Sequence, residues 1–127
     1  MTPIFNIYKA AVQYQQPKVT NDNLIIIKIK EVINETTGIS FERFNRKTRV
    51  KEVMFSRQLF QYLCRKFTCK TLKTIGELTA HNYGHWTILH SQTEIENVID
   101  IKHRSENWQK VETAILRMTA YTGKIIL

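Results

Sequence analysis

The sequence predicts an all-α domain of six or seven helices. Apolar residues recur at three- and four-residue spacing along most of the chain, the period of a helix with one buried face. Two prolines and four glycines are too few for the many turns of a β-sandwich. Capping residues and a stop glycine fall between the periodic stretches. With 43% hydrophobic and 24% charged residues, the chain can fold rather than remain disordered. Its 127 residues suffice for one domain with one core.

Taken in order, Thr2-Pro3 is a plausible helix start, and Ile4, Ile7, Tyr8, Ala11 and Val12 follow at helical spacing. "QQPKVTND" then reads as a linker, so residues 1–19 are expected to be an N-terminal helix and linker, and 20–127 the main domain. Thr20 or Asn21 can cap a second helix, on which Ile25, Ile29, Val32 and Ile33 share a face. The run "LIIIKIK" within it also fits a strand. Gly38 supplies a left-handed stop, Ser40 caps the short "SFERF", and a basic loop, "NRKTRVK", follows. The next helix spans about 51–67, with Val53, Leu59, Phe60, Leu63 and Phe67 as its stripe. Thr71 caps "LKTIGEL", where Leu72, Ile75 and Leu78 face one way. "TAHNY" turns the chain into a helix over 84–99. A last helix starts at Ser105, with Trp108, Val111, Ile115 and Met118 facing inward. Two short-spaced helices, 71–78 and 84–99, joined by a tight polar turn have the shape of a helix-turn-helix.

Charge is unevenly placed. Between Ser40 and Lys73 stand ten lysines and arginines against two acidic residues, so this stretch holds the whole net charge of +8. Such clustering is the footprint of a surface that meets a polyanion. A solvated, solubilising face is the plainer alternative.

The helix that begins "GHWTILHS" presents a second clue. At about 100° per residue, Ile88, Ile95, Val98 and Ile99 cluster on one side with Leu89 at the edge. Trp86, His90, Thr93 and Asn97 lie opposite, so Trp86 is expected to project outward. It would then meet a partner, or else fold down as a staple over the turn at 79–83. A helix start also offers free backbone N–H groups and a positive dipole end to phosphate. His85, Trp86, Thr87 and His90 could reach base edges there: Thr and the indole suit the thymine methyl, and His can donate to guanine or phosphate.

These residues resemble those of the C-terminal DNA-binding domain of the bacterial replication initiator DnaA, over about Leu24 to Ile115. "VINETTGIS" is similar to the family's first helix and following turn. "TRVKEVMFSRQLFQYLCRKFT" resembles its long basic helix, including Arg57-Gln58. "LKTIGEL" resembles the first helix of its helix-turn-helix, and "HWTILHS" its signature His-Thr-Thr-Val-Leu-His. The resemblance implies a TrpR-like helical fold that binds double-stranded DNA, with His85 and Thr87 in the major groove and Arg49 in the neighbouring minor groove. It places Arg57 and Arg65 at phosphates. Three features depart from the family. "HNYG" replaces Gly-Gly-Arg-Asp, so Tyr83 and Gly84 stand where the family has arginine and aspartate. The stretch from Ile75 to His85 is one residue longer, and Trp86 replaces a threonine.

Other chemistry is weakly marked. His81, His85 and His90 straddle a turn at H-x3-H and H-x4-H spacing, without the further ligands a zinc site needs, so no metal or cofactor is expected. Cys64 falls in a helical pattern as a packed thiol, and a disulfide with Cys69 is disfavoured in a reducing compartment. No G-x-x-x-x-G-K-[ST] loop occurs and no motif carries a catalytic mechanism, so no enzyme activity is expected. "MTPIFNIYK" lacks the features of a signal peptide and "LIIIKI" is too short for a bilayer; a soluble, cytoplasmic, nucleoid-associated protein is expected. The expectation is a free-standing module without ATPase, binding duplex DNA at an origin or related site. Base contacts would come from Arg49, His85, Trp86, Thr87 and His90, and phosphate contacts from Lys47, Lys51, Arg57, Arg65, Lys66, Lys70, Thr71 and Lys73. The alternatives are a module for a protein partner or self-association, and a transcriptional regulator on the same fold.

Overall fold

A computed structural model of the chain describes residues 21–46, 48–79, 84–101 and 106–123. These residues form α1 (Asp22–Thr37), α2 (Phe41–Phe44), α3 (Lys51–Phe67), α4 (Leu72–Glu77), α5 (His85–Asp100) and α6 (Glu106–Thr122), with no strand among them. The fold is therefore all-α. The helix expected before residue 19 lies outside the described residues, as do Ser105 and most of the 79–83 turn.

α1 settles the ambiguous "LIIIKIK" as helix. Ile25, Ile26, Ile29, Val32 and Ile33 are buried along one side, a spacing that an alternating strand would split between two faces. Asn21 is the cap: its Oδ1 accepts from the Asn23 N–H at 2.9 Å. At the other end Gly38 sits at φ 76°, and its N–H donates to Asn34 O. A side chain there would strain the left-handed backbone by about 1 kcal/mol.

Ser40 stands at the N-cap of α2 as expected, but its side chain makes no capping hydrogen bond. Packing holds this single turn instead. The Phe41, Phe44 and Phe60 rings meet edge-on or tilted with centroids 5.2 to 5.6 Å apart, so α2 is fastened to α3 by an aromatic triangle.

α3 is the central helix and contacts every other one. That explains why burial on it reaches far beyond the stripe of Val53, Leu59, Phe60, Leu63 and Phe67 to include Phe55, Ser56, Gln61, Tyr62 and Cys64. Each fully buried aliphatic or aromatic side chain in such a core contributes roughly 1.5–3 kcal/mol. Cys64 is a packed thiol, and burial pushes its ionisation far up despite the nearby Lys30 charge. Cys69 is exposed after the helix, and its backbone N–H donates to Asp22 Oδ2 at 3.2 Å.

α6 lies along α1 and buries Trp108, Val111, Ala114, Ile115 and Met118. Arg117 pairs with Glu35 across that seam. α4 and α5 pack on each other and on α3 as the helix-turn-helix.

Candidate nucleic-acid interface

α5 is docked on α3 by a narrow strip of its surface. Ile88, Ser91 and Ile95 are buried, a three-then-four spacing that marks one face. Val98 and Ile99, expected in the buried stripe, are only half-buried, while Ser91 was not expected there at all. Trp86, His90, Thr93 and Asn97 are exposed on the opposite side. Trp86 is 74% exposed, which overturns the staple geometry and leaves a large apolar ring in solvent. His85, also exposed, lies beside it with ring centroids 4.9 Å apart and planes tilted by 40°. Thr87 is half-buried.

Backbone chemistry at this helix start favours an anion. Gly84 is the N-cap and has no side chain to accept from the first turn, which also carries no acidic residue. Gly84 O accepts from Thr87 and Ile88 at 3.0 and 3.4 Å. The N–H groups of His85 and Trp86 are left with no partner inside the helix, next to the positive dipole end. His90 Nε2 lies 3.8 Å from Glu94 Oε1, an attraction only when the imidazole is protonated. Five residues apart, His85 and His90 diverge by about 140° around the helix and cannot converge on one ion; His81 lies outside the described residues.

The basic stretch runs from the loop before α3, along α3, to the start of α4. Arg49 is exposed in the loop leading into α3, where Thr48 Oγ1 accepts from the Val50 N–H at 3.2 Å; Lys51 opens the helix, also exposed. Arg57 is half-buried, and its Nη1 donates to Arg46 O at 3.0 Å. It therefore ties the basic loop to the helix, a role that sequence reading did not supply. Arg57, Gln61 and Arg65 follow at four-residue spacing along one stripe of α3. Arg65 is exposed; Lys66 is half-buried, with its ammonium 5.8 Å from the Tyr62 ring centroid. Lys70 is half-buried just before α4, and Lys73 is exposed on its first turn. Thr71 is the cap of α4: its hydroxyl accepts from the Thr74 N–H at 3.2 Å and lies 2.9 Å from the Thr74 hydroxyl. Lys47 lies outside the described residues.

One contact between the two basic and base-facing elements is buried. Ser91 Oγ donates to Gln61 Oε1 at 2.5 Å, with Gln61 and Ser91 each 1% exposed. Both are polar, and nothing in the local pattern separates them from surface residues. Burial of a glutamine and a serine arises only once α5 lies on α3.

Residues 26–95 match the family model described as the bacterial DnaA protein helix-turn-helix. The chain belongs to that family. It is a DnaA-type, all-α, helix-turn-helix domain of the DNA-binding class. It is also similar to the chromosomal replication initiator protein DnaA of Mycoplasma capricolum subsp. capricolum, with 33% identity over 79 residues; the alignment covers 60% of this chain and 17% of that protein. The chain thus matches a minor part of this relative's length. The matched segment takes in α2, α3 and α4 whole, together with most of α1 and the leading two-thirds of α5. No described helix is long and apolar enough to cross a membrane.

Proposed function

We propose that this domain recognises a short duplex DNA site, with the leading turn of α5 in the major groove. The observation that carries the reading is Trp86: it is 74% exposed on the first turn of the second helix of a helix-turn-helix, opposite the buried stripe. His85, Thr87 and His90 would share the groove with it, and Arg49 would enter the adjacent minor groove. Arg57, Arg65, Lys66, Lys70 and Lys73, with Lys47 and Lys51, would meet phosphates and supply most of the affinity. Thr71, whose hydroxyl serves α4, would contribute a phosphate contact mainly through position. That the relative is a chromosomal replication initiator protein supports a place in replication initiation, at an origin or related sites in the nucleoid. Binding would proceed without nucleotide hydrolysis by these residues, since no phosphate-cradling glycine loop stands among them.

The test is binding to random and selected duplexes across a salt series. Counterions released by Arg57, Arg65, Lys66, Lys70 and Lys73 give a log–log slope of about −4.5, and Lys47 and Lys51 would steepen it. A slope near zero would end this reading. The same exposed indole also suits an anchor for a protein partner or a second copy. Trp86→Ala and Arg49→Ala separate the two: loss of DNA affinity in both favours the groove, and loss of an oligomer with DNA unaffected favours the partner. A transcriptional regulator would behave as the first in this assay and is separated by where it binds.

A further inference from the structure

We propose that Gln61 and Ser91 form a positioning pair that sets the rotational register of α5 against the arginine stripe of α3. The inference rests on the groove-binding reading above. Three observations combine. The pair is buried, each residue 1% exposed, and joined by a 2.5 Å hydrogen bond. Gln61 lies one turn from Arg57 and one turn from Arg65, midway along the stripe that would meet phosphates. Ser91 lies between Ile88 and Ile95 on the back of α5, opposite Trp86, His90, Thr93 and Asn97.

Apolar contacts alone define that register loosely. Ile88 and Ile95 could slide or roll by a fraction of a turn and still bury the same surface, because hydrophobic attraction has little direction. A buried hydrogen bond does have direction. Gln61 Nε2 has no hydrogen-bond partner among the described residues, so Ser91 is the partner that the structure gives this amide. Any roll of α5 that breaks the contact leaves the amide and the hydroxyl buried and unpaired. The native orientation already carries the unpaired Nε2; a wrong one adds an unpaired Oε1 and hydroxyl to that cost. Phosphate contacts fix where a protein sits on the duplex, and base contacts read it. A pair that joins the elements carrying each makes the distance between them constant, which sequence discrimination requires.

The experiment compares wild type, Ser91→Ala and the double variant Gln61→Leu/Ser91→Ala. Each is measured for thermal unfolding, for affinity to a selected and a random duplex, and for the salt slope on random DNA. Replacing both polar groups by apolar ones removes the unpaired amide, so the double variant should melt at or above the temperature of Ser91→Ala. The selected-to-random affinity ratio should fall about tenfold in both variants, the size of one well-placed base contact, with the slope on random DNA unchanged. An unchanged ratio in either variant overturns the proposal. A parallel loss of random binding and slope does so too, since that reports a damaged phosphate face. Failure of the groove reading would be distinguishable, because wild type itself would then show no selected duplex and no slope.

Discussion

The two long helices at either end of the family match begin in opposite ways. α1 starts closed: Asn21 accepts from Asn23, Asp22 lies at the positive end of the dipole, and the Asp22 carboxylate also accepts from Cys69. α5 starts open: Gly84 offers no side chain, no acid lies in the first turn, and His85 and Trp86 stand in solvent. A helix that needs only to be stable satisfies its first N–H groups within the protein. α5 has no side-chain cap and flanks its first turn with exposed rings, the arrangement that the proposed groove contact would need. It is held from behind through Ile88, Ser91 and Ile95, and its opposite face stands in solvent.

The largest effect should come from testing that hold. Ile88 is fully buried two residues from Trp86. Ile88→Ala should cost about 2–5 kcal/mol through lost burial and the cavity left behind, read as a lowered denaturation midpoint. Trp86→Ala, on the other face, should change stability by no more than about 0.5 kcal/mol, as exposed substitutions do. It should nonetheless weaken duplex binding about tenfold or more, measured by titration at fixed salt. If Trp86→Ala instead destabilises the fold as Ile88→Ala does, the contrast between the two faces collapses.

Asn21→Ala should cost about 1 kcal/mol of stability, the worth of a side-chain cap, with no change in DNA affinity. A melt at unchanged temperature would mean that the α1 start is held by Asp22 and Cys69 rather than by the cap.

What could be read in advance follows from range. The bounds of α3, the stop at Gly38 and the outward side of Trp86, His90, Thr93 and Asn97 depend on residues a few positions apart, where helical periodicity speaks directly. Arg57 binding the Arg46 carbonyl spans eleven positions and a loop without period, so the sequence offers no pattern for it. Gln61 and Ser91 are thirty positions apart and become buried only by the meeting of two helices. Their residue types point to solvent, and packing overrode that preference. Ser40 shows the converse: its position at a helix start was legible, but it makes no capping bond, and the phenylalanine triangle is what ties α2 to α3.

The smallest effect is the sharpest probe of the open start. At Gly84 the backbone is ordinary, φ −72° and ψ 167°, and an added Cβ would meet nothing within 4 Å. Neither strain nor crowding demands glycine there, in contrast to Gly38. Gly84→Asp should therefore be accommodated, and its carboxylate can accept from the first-turn N–H groups and face the dipole. The expected gain is about 0.5 kcal/mol in stability, seen as a small rise in melting temperature. The same carboxylate would place negative charge where a phosphate or base edge is expected to approach. Affinity for random duplex should fall modestly while stability rises, and the two changes should shrink together as salt screens the charge. A gain in stability with no loss of random binding would show that no phosphate lies against the bare helix start, and would leave the phosphate contacts to the basic residues of α3 and α4.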